Sequence, residues 1–195
     1  MELQRDTKET IVVSAEKLFY QKGKAGTSMQ NIADDAGINR TLLNYYFRTK
    51  DQLFEAVFRK ALSGFVPLLA SMFKSDEPFE LLVPKVIHSI IDAMMANPQI
   101  PIFVLQELSS NPERMPQVLM DMGIDPEKVI KKGEGQAHFR HLIINLFSLC
   151  IFPFAARPVV TGLLFNGDND AFVSAMHQRK EILPEMFLKL MSQNQ

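Results

Sequence analysis

The chain has one cysteine, Cys150, among 195 residues. A lone thiol excludes an intramolecular disulfide framework and a zinc site built on several cysteines. Long apolar runs are also missing. The longest, Leu142 to Ala156, spans 15 residues and includes Asn145, Ser148 and Pro153. A membrane-spanning helix takes about 20 apolar residues, so this run is expected to be a buried helix. The first ten residues are polar and charged, unlike a secretory signal. With no cysteine pair either, the chain is expected in the cytoplasm. No sign of charge dominates: the formal net charge is −1 and the pI about 6.4. Taken over the whole chain, that value argues against nucleic acid, which favours basic partners. Internal repeats, low-complexity tracts, Ser-His-Asp arrangements and glycine-rich phosphate loops are absent from the sequence. Hydrophobic content is 47%, so disorder is excluded.

What is present is helical. No alternating run of β-branched residues has the length of a strand, and glycine and proline divide the chain into helix-sized pieces. The expected fold is all-α. Ile11, Val12, Ala15, Leu18 and Phe19 share one face of a first helix that Gly23 ends. Ser28 stands where an N-cap belongs, before a short helix carrying Ile32, Ala33 and Ala36. Gly37 stops that helix, and Asn39 can cap the next, Arg40 to Tyr46. A longer helix starts near Asp51 and is expected to run to about Phe73. Beyond it the spacing predicts helices from Pro78 to Asn97, Ile102 to Ser110, Pro116 to Met122, His138 to Phe154 and Asp170 to Met191. Asp125 to Gln136 is expected to be a loop or a short helix, and Asn166 to Asp168 a turn.

Residues 28–47, SMQNIADDAGINRTLLNYYF, hold the functional constellation. Two helices of about eight residues joined by a tight turn with one glycine form a helix-turn-helix. Ala33 is small enough for the second helix to cross closely, and Gly37 can adopt the positive φ of the turn. Ile32, Ala36, Ile38, Leu43 and Phe47 form the small core. The second helix offers Arg40, Thr41, Asn44 and Tyr45, residue types that read base edges or hold phosphates. Adjacent Tyr45 and Tyr46 point about 100° apart, so at most one is expected to be buried. Lys50 adds a charge at the start of the next helix, beside its positive dipole end.

From about Ile11 to Phe58 the chain resembles the DNA-binding domain of the TetR (tetracycline-repressor-like) regulators. The resemblance rests on Ala15 with Leu18-Phe19, Gly23, Ser28-x-x-x-Ile32-Ala33-x-x-Ala36-Gly37-Ile38, Leu43-x-x-Tyr46-Phe47, Lys50 and Leu53. It implies a three-helix DNA-binding domain, set here at residues 1–50, and a helical ligand-binding and dimerisation domain at 51–195. Arg40, Thr41, Asn44 and Tyr45 would then face the major groove of double-stranded DNA, and Ser28, Tyr46 and Lys50 would touch phosphates. The family often has glycine where Thr41 stands and tyrosine where Asn44 stands, so base preference rests on this chain's own residues. Asparagine suits adenine and arginine suits guanine. The family also implies a homodimer on a palindromic operator and release by a small-molecule effector of unknown identity.

Charge, divided along the same line, fits this picture. Residues 1–60 carry ten Lys and Arg against eight Asp and Glu, and the remainder carries eleven against fourteen. The second part is rich in Phe and Met. Phe65, Phe73, Met94, Met95, Phe103, Met120 and Phe147 are candidates to line a pocket for an apolar or amphipathic ligand, with plain core as the alternative. Leu142, Leu146 and Leu149, then Met176, Leu183, Met186 and Phe187, form stripes on the last two long helices and are candidates for the dimer interface. His138 and His141 could share a helix face, but no third ligand stands near and no metal is expected. Cys150 is expected to be a buried, inert thiol. Two other readings stay open: a DNA-binding regulator controlled by a partner protein, with no small-molecule ligand, and an enzyme on a helical bundle, which lacks visible paired catalytic groups.

Overall fold

The computed structural model describes residues 2–64, 78–121, 123–125, 127, 128, 131 and 139–192. Those residues form ten helices and no strand. They are α1 (Glu2–Lys22), α2 (Met29–Asp35), α3 (Arg40–Tyr46), α4 (Lys50–Ser63), α5 (Phe79–Ala96), α6 (Ile100–Ser110), α7 (Arg114–Asp121), α8 (Phe139–Ala155), α9 (Arg157–Leu164) and α10 (Asn169–Ser192). The expected helices from Pro78 onward are present, with starts and ends shifted by one or two residues. One helix, α9, has no counterpart in the sequence-based reading. Its eight residues include Gly162 and the β-branched Val159, Val160 and Thr161. All are weak helix formers, although Pro158 near its first position is a start signal.

The backbone divides into two compact units, residues 1–62 and 63–195. The sequence sets the division at residue 50. The contacts place it twelve residues later because α4 shares its core with α1. Leu53, Phe54, Val57, Phe58, Ala61 and Leu62 are buried on one face of α4, and the Phe54 ring meets Phe19 of α1 edge-on, with centroids 5.1 Å apart. Lys60 Nζ reaches Glu16 Oε2 at 2.7 Å on the outside of the same contact.

In the second unit, α5 packs against both α8 and α10, and α8 also contacts α6 and α9. Val83, Val86, Ile87, Ile90, Ile91 and Met94 of α5 are buried at helical spacing. One polar link joins it to α10, Lys180 Nζ to Asp92 Oδ1 at 2.7 Å, and His88 Nε2 lies 3.9 Å from Glu181 Oε1 nearby. Pro153 lies inside α8. It has no N–H to give the carbonyl of Leu149 four residues earlier. Arg179 of α10 replaces that donor, with Nε at 3.2 Å and Nη2 at 3.0 Å from the Leu149 oxygen. Where α8, α9 and α10 meet, the Phe172 ring contacts Phe154 and Phe165 edge-on, and the Arg157 guanidinium lies over it.

Several second-unit assignments change at this point. Leu146, Met176, Leu183 and Phe187 are each 4% exposed or less within the single chain. A side chain with no accessible area has none to offer a partner, so these four are core. The stripe read from periodicity is the inner face of each helix. The large apolar residues left outside are Val173, Ile182, Met186 and Leu190 on α10, the last three at steps of four, and Ile144 and Phe152 on α8. Leu142 and Leu149 are half-buried. Among the pocket candidates, Met94 and Phe103 are buried and Met95 and Phe147 half-buried, while Met120 is 54% exposed on α7 and faces outward. Phe65 and Phe73 lie outside the described residues, as does His138. Among the described residues no group of His, Cys, Asp or Glu is arranged to hold a metal ion, and His141 is exposed. No single described helix is long and apolar enough to cross a membrane; α8 and α9, both apolar, meet at a 76° bend.

Candidate nucleic-acid interface

The helix-turn-helix is built by local chemistry at four points. Ser28 begins α2 with a reciprocal capping box. Its Oγ accepts the Asn31 N–H at 3.0 Å, and Asn31 Oδ1 accepts the Ser28 backbone N–H at 3.2 Å. This satisfies two backbone donors that the first turn leaves open. Asparagine at the third helical position stands in for the usual Glu or Gln.

Gly37 ends α2. Its φ of +66° lies in the left-handed region, where a side chain adds about 1–2 kcal/mol of strain. Its N–H donates to Asp34 O at 3.2 Å and the Ile38 N–H to Ala33 O at 3.0 Å, the paired bonds of a Schellman turn. Asn39 then starts α3, its Oδ1 accepting the Leu42 N–H at 2.8 Å. Beneath the crossing, Ile32, Ala33 and Leu43 have no exposure, Phe47 is buried, and Ala36 and Ile38 are half-buried.

Burying Leu43 decides which residues of α3 face out. Arg40, Thr41, Asn44 and Tyr45 are all exposed, Tyr45 at 73%. The Tyr46 ring is half-buried and meets Tyr45 edge-on, with centroids 5.3 Å apart. Ser28 is exposed at the start of α2. The four expected base-reading side chains are thus brought onto one helix surface, with Ser28 on the neighbouring helix.

Lys50 has a second duty. Its ammonium donates to the carbonyls of Lys24 at 2.9 Å and Thr27 at 3.2 Å. It therefore clamps the loop that leads into the Ser28 cap. Thr27 secures the same loop from inside, its buried hydroxyl donating to Gly23 O at 2.9 Å. Lys24 completes the arrangement beside Asp51 and over the Phe54 ring.

The two acidic residues of α2 have different partners. Asp35 pairs with Lys17 of α1 at 2.6 Å. The hydrogen bond from Lys17 holds the Asp35 carboxyl below the usual carboxylate range. Asp34 accepts from Gln30 at 2.7 Å. Sequence reading missed Asn31, Thr27 and Lys17 as supports, since each acts through a partner that periodicity does not show. It also passed over Arg48, an exposed cation two residues beyond α3, which its position next to Phe47 could have flagged.

Known proteins share this arrangement. Residues 11–57 match the model of the bacterial regulatory proteins of the tetR family. The probable HTH-type transcriptional regulator YttP of Bacillus subtilis is 27% identical over 183 residues, 88% of either chain. The HTH-type transcriptional regulator RutR of Escherichia coli is 29% identical over 116 residues, 59% of this chain and 54% of that one. Among solved structures, a TetR-family regulator from Marinobacter aquaeolei superposes with a TM-score of 0.63 at 17% identity, covering 93% of this chain and 97% of that one. The hemolysin II transcriptional regulator HlyIIR superposes with a TM-score of 0.61 at 24% identity, covering 88% and 97%. The same fold thus extends over both units. Residues 11–57 thus carry the helix-turn-helix of the bacterial regulatory proteins of the tetR family, and the whole chain is similar to HTH-type transcriptional regulators.

Proposed function

We propose that the protein is a homodimeric repressor that binds a palindromic operator and is released by an apolar or amphipathic small molecule held in the second unit. The observation that carries the DNA part is the outward face of α3, where Arg40, Thr41, Asn44 and Tyr45 stand exposed over a buried Leu43. Ser28, Tyr46 and Lys50 flank that face and are assigned phosphate contacts. For Lys50 this uses the ammonium hydrogen left over from its two carbonyl bonds.

Dimerisation is assigned to the exposed apolar residues of α8 and α10, with Ile182 and Met186 central. Two-fold symmetry then places two copies of α3 about one helical turn of DNA apart, roughly 34–36 Å, or a multiple of it. An effector releases the operator by favouring a separation of the reading heads that misfits the half-sites. It must bind the two states with different affinity, or it shifts nothing. The mixed burial of Met94, Met95, Phe103 and Phe147 is compatible with an apolar lining.

The test is a gel-shift titration with an operator selected from randomised duplex DNA. Replacing both Arg40 and Asn44 by alanine is expected to abolish sequence-specific binding while leaving the oligomeric state, measured by sedimentation, unchanged. Unaltered operator affinity would overturn the assignment of α3 as the reading helix.

A further inference from the structure

Arg40 and Asn44 do not stand independently on α3. Arg40 Nε donates to Asn44 Oδ1 at 3.2 Å, one helical turn away. Adenine is read by asparagine through two bonds, Oδ1 accepting from the base N6 amino group and Nδ2 donating to N7. That mode needs Oδ1 directed at the base, and here Oδ1 is directed at Arg40. Guanine is read by arginine through two donors to O6 and N7. The Nε bond leaves the two terminal Nη groups as the fork for that contact, and it fixes the plane of the guanidinium. Both side chains are exposed, so the pairing organises groups that would otherwise sample several rotamers over the groove.

We infer, on the basis of the DNA-reading role proposed above, that Asn44 is a positioning residue for Arg40, and that the pair reads a single guanine end-on through the Arg40 Nη groups. The general suitability of asparagine for adenine then does not apply to Asn44. The pair then specifies one base pair per half-site, a G·C, rather than two.

The experiment selects binding sites from randomised duplex DNA for the wild type, Arg40→Ala, Asn44→Ala, Asn44→Asp and the Arg40→Ala/Asn44→Ala double variant. Affinity for all four base pairs is then measured at each selected position. The wild type is expected to prefer one G·C by about 5- to 150-fold, the range for a good bidentate contact. Asn44→Ala is expected to reduce the preference at that position and at no other. In the Arg40→Ala background it should change no base preference further. Asn44→Asp keeps the oxygen that accepts from Nε and removes the amide donor that adenine needs. It is expected to retain the guanine preference, even where the added negative charge lowers affinity for all sequences alike.

A second, A·T position whose preference disappears in both Asn44 variants and persists in Arg40→Ala would overturn the inference, since Asn44 would then read a base itself. So would an Asn44→Ala protein with unchanged preference everywhere. A wild-type protein that selects no site at all would instead refute the underlying reading of α3, which separates the two failures.

Discussion

At the residue scale, the side chains that matter are those closing a backbone group that nothing else can satisfy. Ser28 is one. Its replacement by alanine removes the Oγ that accepts the Asn31 N–H and leaves the backbone half of the capping box in place, and such a loss costs about 1 kcal/mol. Chemical denaturation of Ser28→Ala is expected to show that loss, with the shape of the far-ultraviolet circular dichroism spectrum kept. Cys150 is the opposite case, a reactive atom made inert. Burial pushes its thiol up to about 12, well above the ordinary range of a thiol near 9. A raised folded value favours the protonated thiol, so its stabilising contribution is complete below pH 9 and is lost as pH climbs toward 12. Labelling by a thiol reagent at pH 8 is expected to proceed only at the rate of unfolding. Fast labelling of the native protein would contradict the buried, protonated state. That much was legible in the sequence, from a lone cysteine in an apolar run. The guanidinium of Arg179 close by was not, because it comes from another helix.

At the element scale, the two short helices of the DNA-reading motif and the long helices behind them are held by different means. Helices α2 and α3 have seven residues each. Isolated helices of that length are marginal, so caps at both ends and the shared contact of Ile32, Ala33 and Leu43 supply their order. Those signals are local and follow the chain, which is why the bounds of α3, Asn39 cap included, agree with the expectation. Helix α8 depends on tertiary repair. Pro153 leaves the Leu149 carbonyl without its helical donor, and Arg179 supplies two. Arg179→Met keeps much of the side-chain volume and removes that donor. It is expected to destabilise the protein by about 1 kcal/mol, the lower end of the range for an acceptor left unpaired, because the bond is only part-buried, as read by thermal unfolding. A change within error would mean that water replaces the guanidinium. Periodicity places Pro153 and Arg179 on their own helices, but the meeting of the two is a property of packing.

At the scale of the whole molecule, the question is which surface is core and which is left for a partner. Leu183 and Met186 stand three residues apart on α10, yet one is 1% exposed and the other 47%. Leu183→Ala opens a cavity and is expected to cost about 2–5 kcal/mol, seen as a lower unfolding midpoint. Ile182→Ser with Met186→Ser leaves that core intact. In sedimentation equilibrium it is expected to shift the proposed homodimer toward monomer, and to weaken binding to the proposed operator with it. A double variant that stays fully dimeric would move the interface off this face of α10. The net charge of −1 belongs to this scale too. It averages a slightly basic reading end with a more acidic remainder, so it excludes less than its value implies.

The sequence by itself determined the all-helical fold, the helix-turn-helix and the residues exposed on α3. Each follows from local rules: spacing at 3.6 residues per turn, caps within three residues, and a glycine where φ must be positive. Tertiary structure decided what spacing cannot. It assigned α4 to the first unit, turned the apolar stripes of α8 and α10 inward, and brought Lys50 onto the carbonyls of the α1–α2 loop. It also coupled Arg40 to Asn44. A hydrophobic period marks a buried face but not what buries it, and a polar side chain has several possible partners until the fold brings one within reach.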